Sequence, residues 1–108
     1  MYFFNPDERA AKELTAAIRA RTFWGVNVML AVVDLDVNAI LPSHSHPHEQ
    51  GGIVLSGELE FTVGQERRSL RTGDVYIIPG GIEHSVRVGA EPARVLDIFA
   101  PIREDLKY

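Results

Sequence analysis

No cysteine occurs in the 108-residue chain. That absence excludes disulfides and thiolate metal sites, and it fits a reducing compartment. No apolar run approaches the roughly 18 residues of a membrane span, so no transmembrane helix is expected. The opening stretch MYFFNPDERAAKE lacks the basic start and apolar centre of a secretory signal, which makes a cytoplasmic protein the expectation. Positive charge is scarce and scattered: Lys and Arg number 11 against 15 Asp and Glu, the net charge is −4, and only Arg67 and Arg68 are adjacent. Such a surface offers no phosphate-binding patch, so nucleic acid is not an expected partner. No repeat, low-complexity tract or linker divides the chain.

What is present suffices for a core, since 45% of the residues are hydrophobic. At this length one domain over residues 1–108 is the natural reading, with a short N-terminal helix or strand segment (1–24) leading into a barrel (25–103). Asn5-Pro6-Asp7-Glu8 reads as a helix start. Asn5 can cap, Pro6 suits the first helical position and Glu8 can reach back, with the helix running to about Leu14. From Ala16 to Trp24 two patterns compete: Ile18, Ala20, Thr22 and Trp24 alternate like a strand, the preferred reading, while Leu14, Ile18 and Arg21 could continue the helix.

Beyond that point the pattern is β. Val28 to Leu35 is apolar and β-branched, and Asp36-Val37-Asn38 is a turn. Ile53-Val54-Leu55 reads as a short strand closed by Ser56-Gly57. Leu59, Phe61 and Val63 alternate towards a core. Turns at Gly64-Gln65-Glu66 and Thr72-Gly73-Asp74 precede Val75-Tyr76-Ile77-Ile78, a run able to pack on both sides. Pro79-Gly80-Gly81 bends the chain, and Ser85–Val88 and Ala93–Phe99 close the series. Short strands with regular turns point to an all-β sandwich or barrel.

The histidines carry the chemistry. His44, His46 and His48 fall within HSHPHEQ, and His84 follows the Pro-Gly-Gly bend. Neutral imidazole is the commonest protein metal ligand. In an extended segment, residues of one parity share a face, which joins His44, His46, His48 and Gln50 and turns Glu49 away. His44, His46, Gln50 and His84 are therefore the candidate ligands of one divalent ion, with His48 an alternative to Gln50. Imidazole suits Zn, Fe, Ni, Cu and Mn to varying degrees, so the residues do not name the ion, with Zn, Ni, Mn or Fe the expected choices. Asp97 places an acid inside an apolar strand, which is costly unless the acid is paired or used. Arg103 is a possible partner. Asp97 can instead serve as a base near a metal-bound substrate, or sit at an exposed edge. Met29 is a candidate for core or pocket lining, and Gly51-Gly52 for close backbone approach to the site. Tyr2-Phe3-Phe4 is apolar for a terminus and is expected to pack on the barrel or on a partner subunit.

These segments resemble the two motifs of the cupin superfamily. The first runs G-x5-H-x-H-x3-4-E-x6-G, and His44-x-His46-x3-Gln50-x6-Gly57 matches its spacing. The second runs G-x5-P-x-G-x2-H-x3-N, and Gly73-x5-Pro79-x-Gly81-x2-His84 matches it up to the histidine. Asn38, Gln50 and Val88 depart from the pattern. The resemblance implies a small jelly-roll β-barrel with the metal inside, often as a homodimer. Gln50 in place of glutamate leaves no anionic protein ligand. A neutral set favours Lewis-acid work on a carbonyl or hydroxyl substrate over the two-His-one-carboxylate chemistry of Fe(II) oxygenases.

Asp97-x-Phe99-x3-Arg103, taken with HPHEQ, is similar to small cupins of pectin and alginate breakdown that convert unsaturated uronates to linear ketonized sugars. That resemblance implies that Asp97 and Arg103 help catalyse and bind the uronate, with Phe99 lining the pocket and Gln50 near the substrate. Three functions compete on the sequence alone: a metal-dependent enzyme rearranging a small sugar acid, an iron dioxygenase, and a small-molecule-binding module without catalysis.

Overall fold

The computed structural model describes residues 1–108 and contains ten strands in two antiparallel sheets. The strands are β1 (Lys12–Thr15), β2 (Ile18–Trp24), β3 (Met29–Leu35), β4 (Ile40–His44), β5 (Glu49–Ser56), β6 (Glu58–Val63), β7 (Glu66–Arg71), β8 (Val75–Ile78), β9 (His84–Val88) and β10 (Ala93–Ala100). One sheet has the order β1-β2-β3-β10-β5-β8 and the other β4-β9-β6-β7. They face each other as a jelly-roll sandwich, the all-β architecture that the alternation indicates.

The core lies where the two inner faces meet. Met29, Ala31, Val33 and Leu35 of β3 point inward, as do Val95 and Phe99 of β10, and they meet Leu59, Phe61, Val86 and Val88 from the smaller sheet. Period-two alternation does this directly, since every second side chain must find the apolar layer. Ile18 and Ala20 of β2 belong to the same cluster, so the N-terminal strands are part of the sheet. No helix is long and apolar enough to cross a membrane.

Several local expectations need correction. The N-terminal helix is a single 3₁₀ turn, Pro6–Glu8, and does not reach Leu14. Asn5 caps it by accepting from the Asp7 amide at 3.0 Å, but Glu8 hydrogen-bonds back only through its own amide, to the Asn5 carbonyl at 3.0 Å. Residues Lys12–Thr15 instead pair with β2, because an edge position of the sheet outweighs a helix with no buried face. β5 is longer than Ile53–Leu55, since pairing with both β10 and β8 extends it back to Glu49. Glu66–Arg71 is a strand that its mostly polar sequence hides, because five of its six side chains face solvent and only Leu70 is buried. Val75 and Ile77 stand 69% and 68% exposed, so β8 buries one face and not two. Of the N-terminal aromatics only Phe4 packs, 5.1 Å from Phe23, while Tyr2 and Phe3 extend into solvent.

Asn38 adopts φ 61° at the turn after β3, a left-handed conformation that Asn tolerates. The Pro79-Gly80-Gly81 bend is pinned to the histidine segment. The Gly81 amide donates to the His46 carbonyl at 2.8 Å, and a Cβ on Gly80 would lie 2.2 Å from the Pro47 carbonyl oxygen. This bend therefore sets the spacing between the two metal-motif segments.

Candidate metal centre and its cavity

His44 ends β4 and His84 opens β9, and the two are partners in register. His46 follows on the connection to β5. Gln50 lies on β5 in the other sheet, opposite Phe99. One ring nitrogen from each of His44, His46 and His84 can lie within 4.8 Å of the others, close enough for a single ion. His48 stands outside that group, with its ring 5.7 Å from that of His46 and its carbonyl serving as a hydrogen-bond acceptor.

The hydrogen bonds around these rings decide how they present themselves. Nδ1–H of His44 donates to the Pro42 carbonyl at 2.9 Å, that of His46 to the His48 carbonyl at 3.0 Å, and that of His84 to the Ile82 carbonyl at 2.9 Å. Each ring is thus held as the tautomer whose Nε2 carries a free lone pair, the arrangement of a metal-binding histidine. His84 Nε2 is buried with no partner, a costly state for a polar atom. His46 Nε2 faces the Gln50 Oε1 at 3.1 Å, so two acceptors point at one place. A cation accounts for both observations, and the four donors fit it. Burial first, with the charge of Arg103 contributing, lowers the pKa of His46 and His84, which favours the neutral rings that metal binding requires.

A cavity of about 260 Å³ opens beside this cluster. His44, Gln50, His84, Asp97, Phe99 and Arg103 all line it. Asp97 and Phe99 point inward from β10 two residues apart, as the strand period requires. Asp97 is buried, neither at an exposed edge nor in an ion pair with Arg103. Its hydroxyl partner is Tyr76, 2.5 Å away, and the Gln50 amide also donates towards it. Burial pushes its carboxyl up to about 6, against the lowering effects of Tyr76, Gln50 and Arg103. Arg103 pairs instead with Asp105 at 2.9 Å and stacks over Phe99 at 5.1 Å, and its Nε is buried without a partner.

Two expectations need adjustment. Met29 is fully buried in the core and is not among the cavity-lining residues. Gly52 does not bring backbone to the site; its missing side chain is occupied by the Tyr76 ring. Tyr76 itself was not legible as a site residue, because an aromatic in the run VYII reads as core.

The geometry can be set beside known proteins. A family model described as Cupin domain matches residues 31–99. The pectin degradation protein KdgF of Dickeya dadantii (strain 3937) is 31% identical over 105 residues, covering 95% of this chain and 96% of that protein. The structure of KdgF from Halomonas sp. superposes with a TM-score of 0.92 at 27% identity, covering 99% of each chain. An RmlC-like cupin from Shewanella frigidimarina NCIMB 400 reaches the same TM-score of 0.92 at 21% identity, covering 99% of this chain and 96% of that one, a likeness of fold. The family match runs from β3 to β10, through both motif segments and all three clustered histidines, and on that evidence the chain belongs to the cupin family.

Proposed function

We propose that this cupin is a metal-dependent enzyme that opens the ring of a small unsaturated uronate to a linear keto acid. One observation carries the reading. A buried carboxylate, an arginine and an aromatic ring converge with the histidine cluster and Gln50 on a single cavity. The likeness to two KdgF proteins, one described as a pectin degradation protein, supports the substrate class.

When bound, a divalent cation supplies a Lewis acid for a carbonyl or hydroxyl oxygen. The chain's own groups do the rest. Arg103 has an unpaired Nε and a guanidinium at the cavity wall, suited to a planar carboxylate. Phe99 backs that guanidinium and offers an apolar face to a sugar ring. Asp97 takes the proton of the anomeric hydroxyl, the bond from the anomeric carbon to the ring oxygen breaks, and an aldehyde and an enolate result. The enolate then takes that proton back from Asp97 on the neighbouring carbon and becomes a ketone. The product is an isomer of the substrate, so no oxidant is consumed. A carboxyl titrating near 6 suits both halves of that transfer near neutral pH.

The test is turnover of a 4,5-unsaturated galacturonate monomer by metal-loaded protein, followed by proton NMR. Appearance of the open-chain keto acid, abolished in Asp97→Asn, is the expected outcome. Binding without turnover would leave a ligand-binding cupin, and oxygen uptake with this substrate would favour a dioxygenase.

We also propose that the active form is a homodimer. Support comes from the outer face of the six-stranded sheet, where Ile77, Gly51, Ile98, Leu30 and Phe23 follow one another across β8, β5, β10, β3 and β2. A second row runs through Val75, Ile53, Leu96 and Val32. Phe4 and the exposed Tyr2 and Phe3 prolong the first row beyond Phe23. The outer face of the other sheet carries Glu58, Glu60, Ser69, Arg71 and Arg87. The apolar rows of the six-stranded sheet, bordered on the same face by the ion-paired Arg21, Asp34 and Arg94, continue into an apolar arm and suit a second copy of that face. Light scattering should give twice the 12.0 kDa chain mass, and Ile77→Lys should return it to one chain; a native monomer overturns the pairing.

A further inference from the structure

Tyr76, Gly52 and Asp97 stand in one row across three strands. Tyr76 of β8 is opposite Gly52 of β5, and Gly52 is opposite Asp97 of β10. Residues facing each other in register share a face of the sheet. An ordinary side chain at position 52 would separate the other two. A Cβ built there would meet the Tyr76 ring at 2.3–2.4 Å, with the hydroxyl oxygen among the atoms struck. The ring therefore lies across β5, through the volume a side chain would take. Its hydroxyl reaches Oδ1 of Asp97 two strands away, at 2.5 Å. Phe61 of the opposing sheet holds the ring from the other side, 4.5 Å between centroids.

The contact is directional. Asp97 lines the metal-side cavity, whereas Tyr76 does not. The hydroxyl thus holds Oδ1 of the carboxylate from outside the cavity, while the Gln50 amide, itself lining the cavity, also donates towards it. Burial raises the phenol far above its ordinary range, so it serves only as a donor.

We propose that Tyr76 is a positioning residue for the proton-transferring carboxylate, and that Gly52 is required because its empty side-chain site is the path of the ring. This rests on the uronate reading above. Three strands are locked in register by the core, so the phenol fixes the carboxylate's rotation without touching substrate. Charge-assisted bonds of this kind are short and strong, and fixing a reacting group in orientation contributes directly to rate.

Tyr76→Phe removes one oxygen and keeps the ring against Phe61. The expected result is a fall in kcat of about ten- to a hundred-fold, the range for loss of one donor to a charged group, with KM within about two-fold and bound metal unchanged. A purely structural role would instead move melting temperature, KM and metal content together. Gly52→Ala should lower kcat in the native chain and add little in a Tyr76→Phe background, because both changes remove the same contact. Full kcat in Tyr76→Phe, or additive losses in the pair, overturns the proposal. No turnover by the native chain overturns the uronate reading itself. The carboxyl carbon-13 resonance of Asp97 in metal-free protein then decides the contact alone: it shifts in Tyr76→Phe if the phenol holds the carboxylate, and an unmoved resonance overturns the contact.

Discussion

Asp97→Asn should make the metal-free protein more stable while it removes activity, and the gain should depend on pH. The carboxyl titrates near 6 in the fold and near 3.8 when the chain is unfolded, because burial disfavours the charge more than its partners favour it. The folded value is the higher one, so the folded chain holds the proton more tightly. Stability is then full while the group is protonated in both states. It declines as pH rises through about 3.8, where the unfolded chain ionises, and levels off above about 6, where the folded chain ionises too. Each pH decade in that window is worth about 1.4 kcal/mol, which puts the full loss at about 3 kcal/mol. Asparagine has nearly the same shape and no charge. It can still accept the Tyr76 hydroxyl, but its amide must compete with the Gln50 amide that donates towards Asp97, so a gain of about 1–3 kcal/mol above pH 7 is expected. Urea unfolding in the presence of a chelator, native chain against variant at pH 4 and pH 8, measures the difference. The gap should open between the two pH values, since every other titrating group is common to both chains. A gap of constant size, or a variant less stable at pH 8, refutes the claim that Asp97 is held as a strained carboxylate for use.

The same structure makes three further predictions. His84→Ala, which deletes the buried Nε2 without a partner, should abolish copurifying metal, and elemental analysis at wild-type occupancy would refute the ligand assignment. Arg103→Lys should raise KM for the uronate about ten-fold or more through loss of the planar donor fork, with melting temperature unchanged; an unaltered KM would detach Arg103 from the substrate carboxylate. Leu59→Ala, at a fully buried site between the sheets, should cost about 2–5 kcal/mol in urea unfolding, and a smaller loss would mean that the core collapses around the gap.

Much of the architecture follows from local pattern. Strand alternation in Glu58–Val63 and Ala93–Ala100 is a one-dimensional property, because side chains two apart must share a face, and the structure keeps it. The two histidine segments were legible for a similar reason: metal ligation needs particular donor atoms, and those residue types are rare in this chain. Elements without a local signature were not legible. β7 is stabilised by its neighbour β6 and not by its own composition, and β1 by the free edge of β2. The N-terminal helix had a cap and a proline but no buried stripe, so capping alone could not sustain it.

What the sequence determined by itself is the β class, the family motifs, and the set of residues able to bind a cation. Which of them meet was decided by tertiary structure. His48 has the same parity as His46, yet the bend at Pro47 and the pinned Gly80 leave it outside the cluster. Asp97 has an arginine six positions on, yet its partner is a tyrosine two strands away, reached across a glycine. Sequence separation says nothing of such pairings, because strand order and register set them, and these follow from burying both sheets' apolar faces at once.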